Sequence, residues 1–517
     1  MKKLITLIFL TVLFVPYAFL GVEIKAQNSP LILNLNQEDA KQEVSNIENT
    51  TIATSYSDDD MQENIGFNGE DTDLTGKGVT VAILDTGIYP DHEVFGTWYN
   101  RILAFYDAVE EIQFAIPYDI DFHGTYVASI LGGNSTEYKG VAPDVNFVII
   151  QIGEEEDDSI ESDYKYIKEA VDWIIDNKDI YDIRIVSISA GIEPKMDNTK
   201  QLDKMNKLVQ DLTEEDILVV AAAGNFNPEP FENADGKINA PSSSKYALSV
   251  GGVNLLGGIY SESCKGPSHE GVTKPDVCAL AVQVDGADTG NPSDYDHETG
   301  TSAAAPLVSG LAALMLEEDS KLDALEIKNI IQMTAHTTNF ITLKDNTYGS
   351  GVIQGYAALD ALKKPEKITK FMECEISLSN EFKVFCLPLD LKANHYFFKL
   401  TQLGDVRAEM ILYDSDHDGY GNPIIITHTY FQNVMDINVL EDHEYYLTVK
   451  LANGTKGKFL LQITFDYYTT YIFIGVVFFF CVMYIIHWIW FKESIRENEI
   501  EEYDNSNTEF FIEDFFE

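Results

Sequence analysis

Residues 79–88 read VTVAILDTGI, six apolar or β-branched residues closed by Asp85 and a Thr-Gly turn. A short, uninterrupted run of this kind fits a strand buried on both faces, the pattern of parallel sheets. Four further runs share it: VNFVII (145–150), IRIVSIS (183–189), ILVVAAA (217–223) and ALSVGGV (247–253). Helix-length segments lie between or beyond them, at 163–177, 197–212, 303–316 and 322–334. This alternation predicts a doubly wound, mainly parallel α/β sheet. In such sheets reactive groups gather beyond the carboxyl ends of the strands, so the polar residues closing each run come first as candidates for chemistry.

Working outward, the texture changes after KKPEK (363–367), which reads as a linker. Short pieces such as FKVFCLPL, AEMILY, PIIITHTY and EYYLTVKL, separated by Asp, Asn and Gly turns, predict a small antiparallel β-sandwich over 368–466. At the start, Lys2 and Lys3 precede an apolar run from Leu4 to Leu20 and a small residue at Ala26, a secretory signal pattern over 1–26 followed by a short extension, 27–63. Residues 471–491 carry no charge, and a helix of that length covers about 30 Å of hydrocarbon. Lys492 and Arg496 follow, favouring an inward C-terminus. The expected arrangement is a single-pass protein of the cell membrane: the α/β region, 64–362, and sandwich outside the cytoplasm, one transmembrane helix, and an acidic cytoplasmic tail, 492–517.

The 517 residues hold 35 bases against 84 acids, a formal charge of −49. A polyanion is repelled by that field, which excludes nucleic acid as the main partner. Five cysteines are too few for a disulfide scaffold, although Cys264/Cys278 and Cys374/Cys386 are spaced for local bridges in an oxidising compartment.

Three segments carry the chemistry together. Asp85 closes the first strand, where a buried carboxylate holds an imidazole in one tautomer. DFHGTYVASIL (121–131) places His123 just before a small-residue helix, and ETGTSAAAPLVSGLAALML (298–316) places Ser302 where a turn enters a helix. An anion forming beside the Ser302 amide meets unpaired N–H groups and the positive end of a helix dipole. Singly, each residue is commonplace as a turn, a structural histidine or an N-cap. Together, Asp, His and Ser in this chain order and in these contexts form one of the known orders of the charge-relay arrangement.

VAILDTGI with Asp85, HGTYVAS with His123 and GTSAAAP with Ser302 resemble the three signature blocks of the subtilisin-like serine proteases. AAAGN (221–225) resembles the block whose Asn lends its side chain to the oxyanion hole, which maps to Asn225. SISAGI (187–192) resembles the strand that pairs with substrate backbone, which maps to Ser189, Ala190 and Gly191. GVAPDV (140–145), KPDV (274–277) and GSGVIQGYAALDAL (349–362) are similar to further landmarks of the family. The resemblance implies hydrolysis of peptide bonds through an acyl-enzyme on Ser302, with protein or peptide substrates and no cofactor required for the chemistry. The 27–63 extension is short for the family's inhibitory propeptide, implying either that folding needs no such helper or that a different activation route exists. The 368–466 region resembles the pre-peptidase C-terminal appendages of secreted proteases.

Asp414, Asp416 and Asp418, followed by Gly419, have a spacing that wraps alternate oxygens around calcium, with an acidic β-turn as the alternative. Asp119 and Asp121 read as solvated charges at a helix start, with a metal site as the other option. Against the membrane-anchored endopeptidase stands one reading of another class: a surface adhesion protein on a catalytically idle protease scaffold.

Overall fold

The computed structural model describes residues 61–492 apart from 68–71, 97–99, 157–158, 196–197, 227–237, 289–292, 337–343, 369–370, 381, 404–405, 416–422, 428–431, 453–455 and 466–477. Its first part is built on strands β1 (Thr80–Asp85), β2 (Ile102–Asp107), β3 (Ile112–Phe114) and β4 (Asn146–Gln151). A small hairpin, β5 (Glu154–Glu156) and β6 (Ser159–Glu161), precedes β7 (Ile183–Ile188), β8 (Leu218–Ala222), β9 (Leu248–Val253) and β10 (Val277–Leu280). A second hairpin is β11 (Val284–Ala287) with β12 (Tyr295–Glu298). The helices are α1 (His123–Gly132), α2 (Tyr164–Tyr181), α3 (Thr199–Glu214), α4 (Thr301–Glu318), α5 (Ala324–Thr334) and α6 (Gly355–Asp360).

Eight strands form one sheet in the order β10-β9-β8-β7-β1-β4-β2-β3, parallel except for β3 at its edge. All six residues of β1 are buried, because both faces are covered. Val81 and Ile83 face the core shared with α1, α4 and α5, whereas Ala82 and Leu84 face the one shared with α2 and α3. Helices on both faces of a mostly parallel sheet are the architecture the apolar runs predict, and the five expected strands lie within a residue or so of the observed ones. β1 sits between β4 and β7, so the chain leaves it in opposite directions and opens a crevice at its carboxyl end.

Strands β13 (Glu366–Lys367), β14 (Phe371–Ser379), β15 (Val384–Leu391), β16 (Asn394–Gln402), β17 (Ala408–Asp414), β18 (Pro423–Thr427), β19 (Gln432–Val439), β20 (His443–Leu451) and β21 (Lys456–Phe465) make up a second part. They form two sheets, β13-β15-β20-β17-β18 and β14-β21-β16-β19, antiparallel apart from β13. Leu389, Phe398, Met410, Leu447, Val449 and Leu461 fill the space they share. Residues 366–367 are not linker: they pair with β15.

The second part does not hang from the first. Lys450 Nζ donates to the Ala335 carbonyl at the end of α5 (2.7 Å), and His336 Nε2 lies 2.7 Å from the Leu451 carbonyl. Cys386, Ile411 and Tyr413 belong to the same buried cluster as α1 and α4. Burial holds the His336 imidazole down to about 3, so it is neutral, and Nε2 carries the hydrogen given to Leu451. The five cysteines are free thiols, so neither expected bridge is formed.

Residues 478–492 form a helix with exposed side chains, among them Phe478, Trp488 and Trp490. No helix among the described residues is long and apolar enough to cross a membrane. The remaining part of the expected span, 471–477, lies outside the described residues, as do residues 1–60 and the tail from 493.

Candidate active site

Asp85 ends β1 with only 3% of its surface exposed. Its Oδ1 accepts from the Thr86 amide at 2.8 Å and lies 2.7 Å from His123 Nδ1. Because an ionised carboxylate only accepts, Nδ1 bears the hydrogen and Nε2 is left to act as base. Burial pushes the imidazole toward its neutral form, but the charge and hydrogen bond of Asp85, then Glu298 and Asp119, outweigh it and hold His123 up to about 9. Among the described residues Asp85 Oδ2 is buried with no hydrogen-bond partner, so the carboxylate's interactions are concentrated on the oxygen facing the ring.

His123 opens α1, and the approach of that helix to β1 depends on two glycines. A Cβ on Gly124 would lie 2.2 Å from the Gly87 carbonyl oxygen, and one on Gly87, whose φ is +124°, would lie 2.1 Å from the Tyr118 carbonyl oxygen. Neither contact tolerates a side chain, so the dipeptides Thr86-Gly87 and His123-Gly124 bring Asp85 and His123 within reach of each other.

Ser302 is the second residue of α4, which packs against α1. Its Oγ donates to the Ser189 carbonyl over a long 3.3 Å, and no Ser302–His123 hydrogen bond forms among the described residues. Ser189 Oγ in turn donates to the Ser302 carbonyl at 3.0 Å. Ser189, Ala190 and Gly191 leave the end of β7 beside the serine, and Ile192 bridges to Ala240 through two backbone bonds of 2.8 and 3.0 Å. Catalytic hydrogen bonds are commonly loose without substrate and tighten when it binds.

Asn225 follows β8. Its Oδ1 accepts from the Thr301 amide (2.8 Å) and hydroxyl (3.1 Å). With the carbonyl end so held, Nδ2 is the end left to donate, one residue from the serine. Thr301 was not a candidate from sequence; the TS dipeptide (301–302) hints at it only once the Asn is known to lie opposite. Glu298, at the end of β12, is a second such residue. Burial, then Asp121, Asp296 and Asp85, push its carboxyl up while His123 pulls it down, which places it in the field of the His123 ring.

The acidic positions separate. Asp119 is not a solvated charge, since its carboxylate is engaged by surrounding donors, whereas Asp121 is exposed. Asp414 contacts His443, and Asp416 and Asp418 lie outside the described residues. Asp203, His269 and Glu270 offer donor atoms within 4.8 Å of one another. The His269 Nδ1, however, is buried without a partner among the described residues, so none of them gives that ring the acceptor that orients metal-bound histidines.

Comparison with known proteins covers the same part of the chain. The subtilase family model matches residues 76–351. Serine protease AprX of Bacillus subtilis is 32% identical over 306 residues, 54% of this chain and 66% of that protein. Subtilisin-like protease PopC of Myxococcus xanthus is 26% identical over 51% of this chain and 56% of its own length. Subtilisin Savinase of Lederbergia lenta is 29% identical over 55% of this chain and 92% of its own. This chain therefore spans less than two thirds of the length of AprX and of PopC.

Proposed function

Because the chain belongs to the subtilase family, we propose that it is a serine endopeptidase in which Asp85, His123 and Ser302 form the catalytic triad. The observation that carries this reading is the 2.7 Å contact between the buried Asp85 carboxylate and His123 Nδ1. That contact fixes the tautomer with Nε2 as the basic nitrogen, on a helix packed against the one that carries Ser302.

In the reaction, Ser302 Oγ attacks the peptide carbonyl carbon as His123 Nε2 takes its proton. Asp85 stabilises the imidazolium, and the Asn225 side-chain amide with the Ser302 backbone N–H receive the oxyanion. Collapse of the tetrahedral adduct breaks the C–N bond, His123 returns the proton to the leaving amine, and water hydrolyses the acyl-enzyme by the reverse sequence. Ser189 to Gly191 would pair with substrate backbone at the rim left open after β7. Substrates are proteins or peptides, and no cofactor enters any step.

The uncharged run 471–491 and the exposed aromatic surface of 478–492 support membrane anchoring, with the catalytic region outside the cytoplasm. Calcium at the turn after β17 remains part of the proposal. Labelling by a fluorophosphonate tests the central claim: the wild type is labelled and cleaves peptides, and Ser302→Ala does neither. Nucleophile loss costs on the order of 10⁶ in turnover, so equal activity in the two overturns the assignment.

A further inference from the structure

Asp119 lies four residues before His123 and is half-buried. Its Oδ1 accepts from the Thr86 hydroxyl (2.7 Å) and from the amides of Phe122 (2.8 Å) and Asp121 (3.2 Å). Its Oδ2 accepts from the Thr125 amide (2.8 Å) and hydroxyl (2.5 Å). The two hydroxyls pass the connection on. Thr86 Oγ1 accepts from the Gly124 amide at 2.9 Å, and Thr125 Oγ1 accepts from the Tyr89 amide at 2.7 Å. Each threonine has one hydroxyl hydrogen, and it is spent on Asp119, so an acceptor-only carboxylate satisfies the whole set.

The donors divide into two groups. Thr86 adjoins Asp85, and Tyr89 lies three residues beyond. Phe122 and Gly124 flank His123, and Thr125 follows. One carboxylate thus joins the segment that presents the catalytic Asp to the segment that presents the catalytic His. It also holds Phe122 at a φ of +67°, a left-handed conformation that strains a bulky residue and persists only where surroundings enforce it.

Resting on the peptidase reading, we propose that Asp119 is a positioning residue for the reaction: through Thr86 and Thr125 it sets the spacing of Asp85 and His123, and it touches neither substrate nor the reacting atoms. Its charge also bears on the ring, since Asp119 is among the groups that favour the imidazolium.

The test uses the full chain as wild type, Asp119→Asn, Asp119→Ala, Thr86→Val and Thr86→Ser, with peptide hydrolysis followed across pH and rates normalised per fluorophosphonate-labelled site, so that misfolded molecules do not count. Asp119→Asn is expected to lower kcat about 10- to 100-fold, the scale of a small misplacement of catalytic groups, with KM within about twofold. Loss of a negative charge beside His123 moves the acid limb of kcat/KM to lower pH, which a role in folding alone would not do. Thr86→Val loses rate in the same way, and Thr86→Ser, which restores the relaying hydroxyl, recovers most of it. An Asp119→Asn variant with wild-type kcat per labelled site and an unmoved acid limb overturns the inference and leaves the peptidase reading standing. A wild type that neither labels nor cleaves overturns both.

Discussion

Replacing Asp276 by Asn tests how the sheet edge behind the site is held together. Asp276 is buried, and its carboxylate is the counter-ion of three lysines: Lys274 at 2.6 Å, Lys328 at 3.9 Å, and Lys344 in direct contact. It also accepts from the Ser249 amide at 2.8 Å, tying the start of β10 to β9. Burial drives the Lys274 ammonium down to about 8 even though Asp276 opposes it, and Lys344 adds to the depression. Taking 10.5 for the unfolded chain, the folded state at pH 7 already loses about 3 kcal/mol by keeping Lys274 charged. Without Asp276 the amine sheds its proton, and that cost is capped at about 5 kcal/mol, so Lys274 alone adds about 1–2 kcal/mol. With Lys328, Lys344 and the Ser249 bond included, the expected loss is about 3–5 kcal/mol, the usual range for breaking a buried pair from one side. Because Lys274 is depressed in the folded state, wild-type stability rises with pH from about 8 toward 10.5. In the variant the rise begins lower, so the Lys274 share of the deficit shrinks between pH 7 and 9. Urea denaturation of the full-length protein followed by circular dichroism at both pH values measures this. A deficit below about 1 kcal/mol at pH 7, or one that grows toward pH 9, refutes the reasoning.

Three shorter expectations accompany it. Asn225→Ala should cut kcat by about 10² to 10³ and leave KM nearly unchanged, since its donor acts on the oxyanion and not on bound substrate; steady-state peptide hydrolysis decides it. Glu298→Gln removes one of the charges that hold His123 up to about 9, so the acid limb of kcat/KM should move to lower pH; a limb that stays fixed contradicts the placement of Glu298 beside the ring. Lys450→Met removes an ammonium that burial holds near 8, and at pH 7 the relief of about 3 kcal/mol offsets the lost bond to Ala335, so thermal stability should not fall; a loss above about 2 kcal/mol would show the charge to be stabilising.

What the sequence disclosed follows from the range of each interaction. Buried parallel strands advertise themselves locally, so β1, β4, β7, β8 and β9 were legible from apolar runs alone. β10 has four residues, and β3 is an exposed three-residue edge, too short for a pattern to form. The three signature blocks place Asp85, His123 and Ser302, but they do not disclose Thr301 or Glu298, whose partners come from other segments. KPDV (274–277) reads as a landmark without a reason, because Lys328 and Lys344 meet Asp276 only after the chain has crossed the sheet again. The run KKPEK reads as linker, yet Glu366 and Lys367 take a place beside β15, since an exposed polar pair is compatible with either state.

The start of α1 shows why Asp119 in particular was misread. A helix beginning at His123 normally takes a Ser, Thr, Asp or Asn at the preceding position to satisfy its first amides. That position is Phe122, which offers no side-chain acceptor and lies in a left-handed turn. The capping work has moved elsewhere: Asp119 takes the amides of Phe122 and Thr125, and Thr86 takes that of Gly124. A cap supplied from four residues upstream and from the adjacent strand end does what a local cap cannot. It satisfies the helix and, with the same bonds, ties that helix to the strand carrying Asp85. An N-cap beside His123 would stabilise α1 as well, but it would leave the relation of the histidine to the aspartate to packing alone. The displaced cap converts an ordinary requirement of helix ends into control over the geometry of the Asp85–His123 pair.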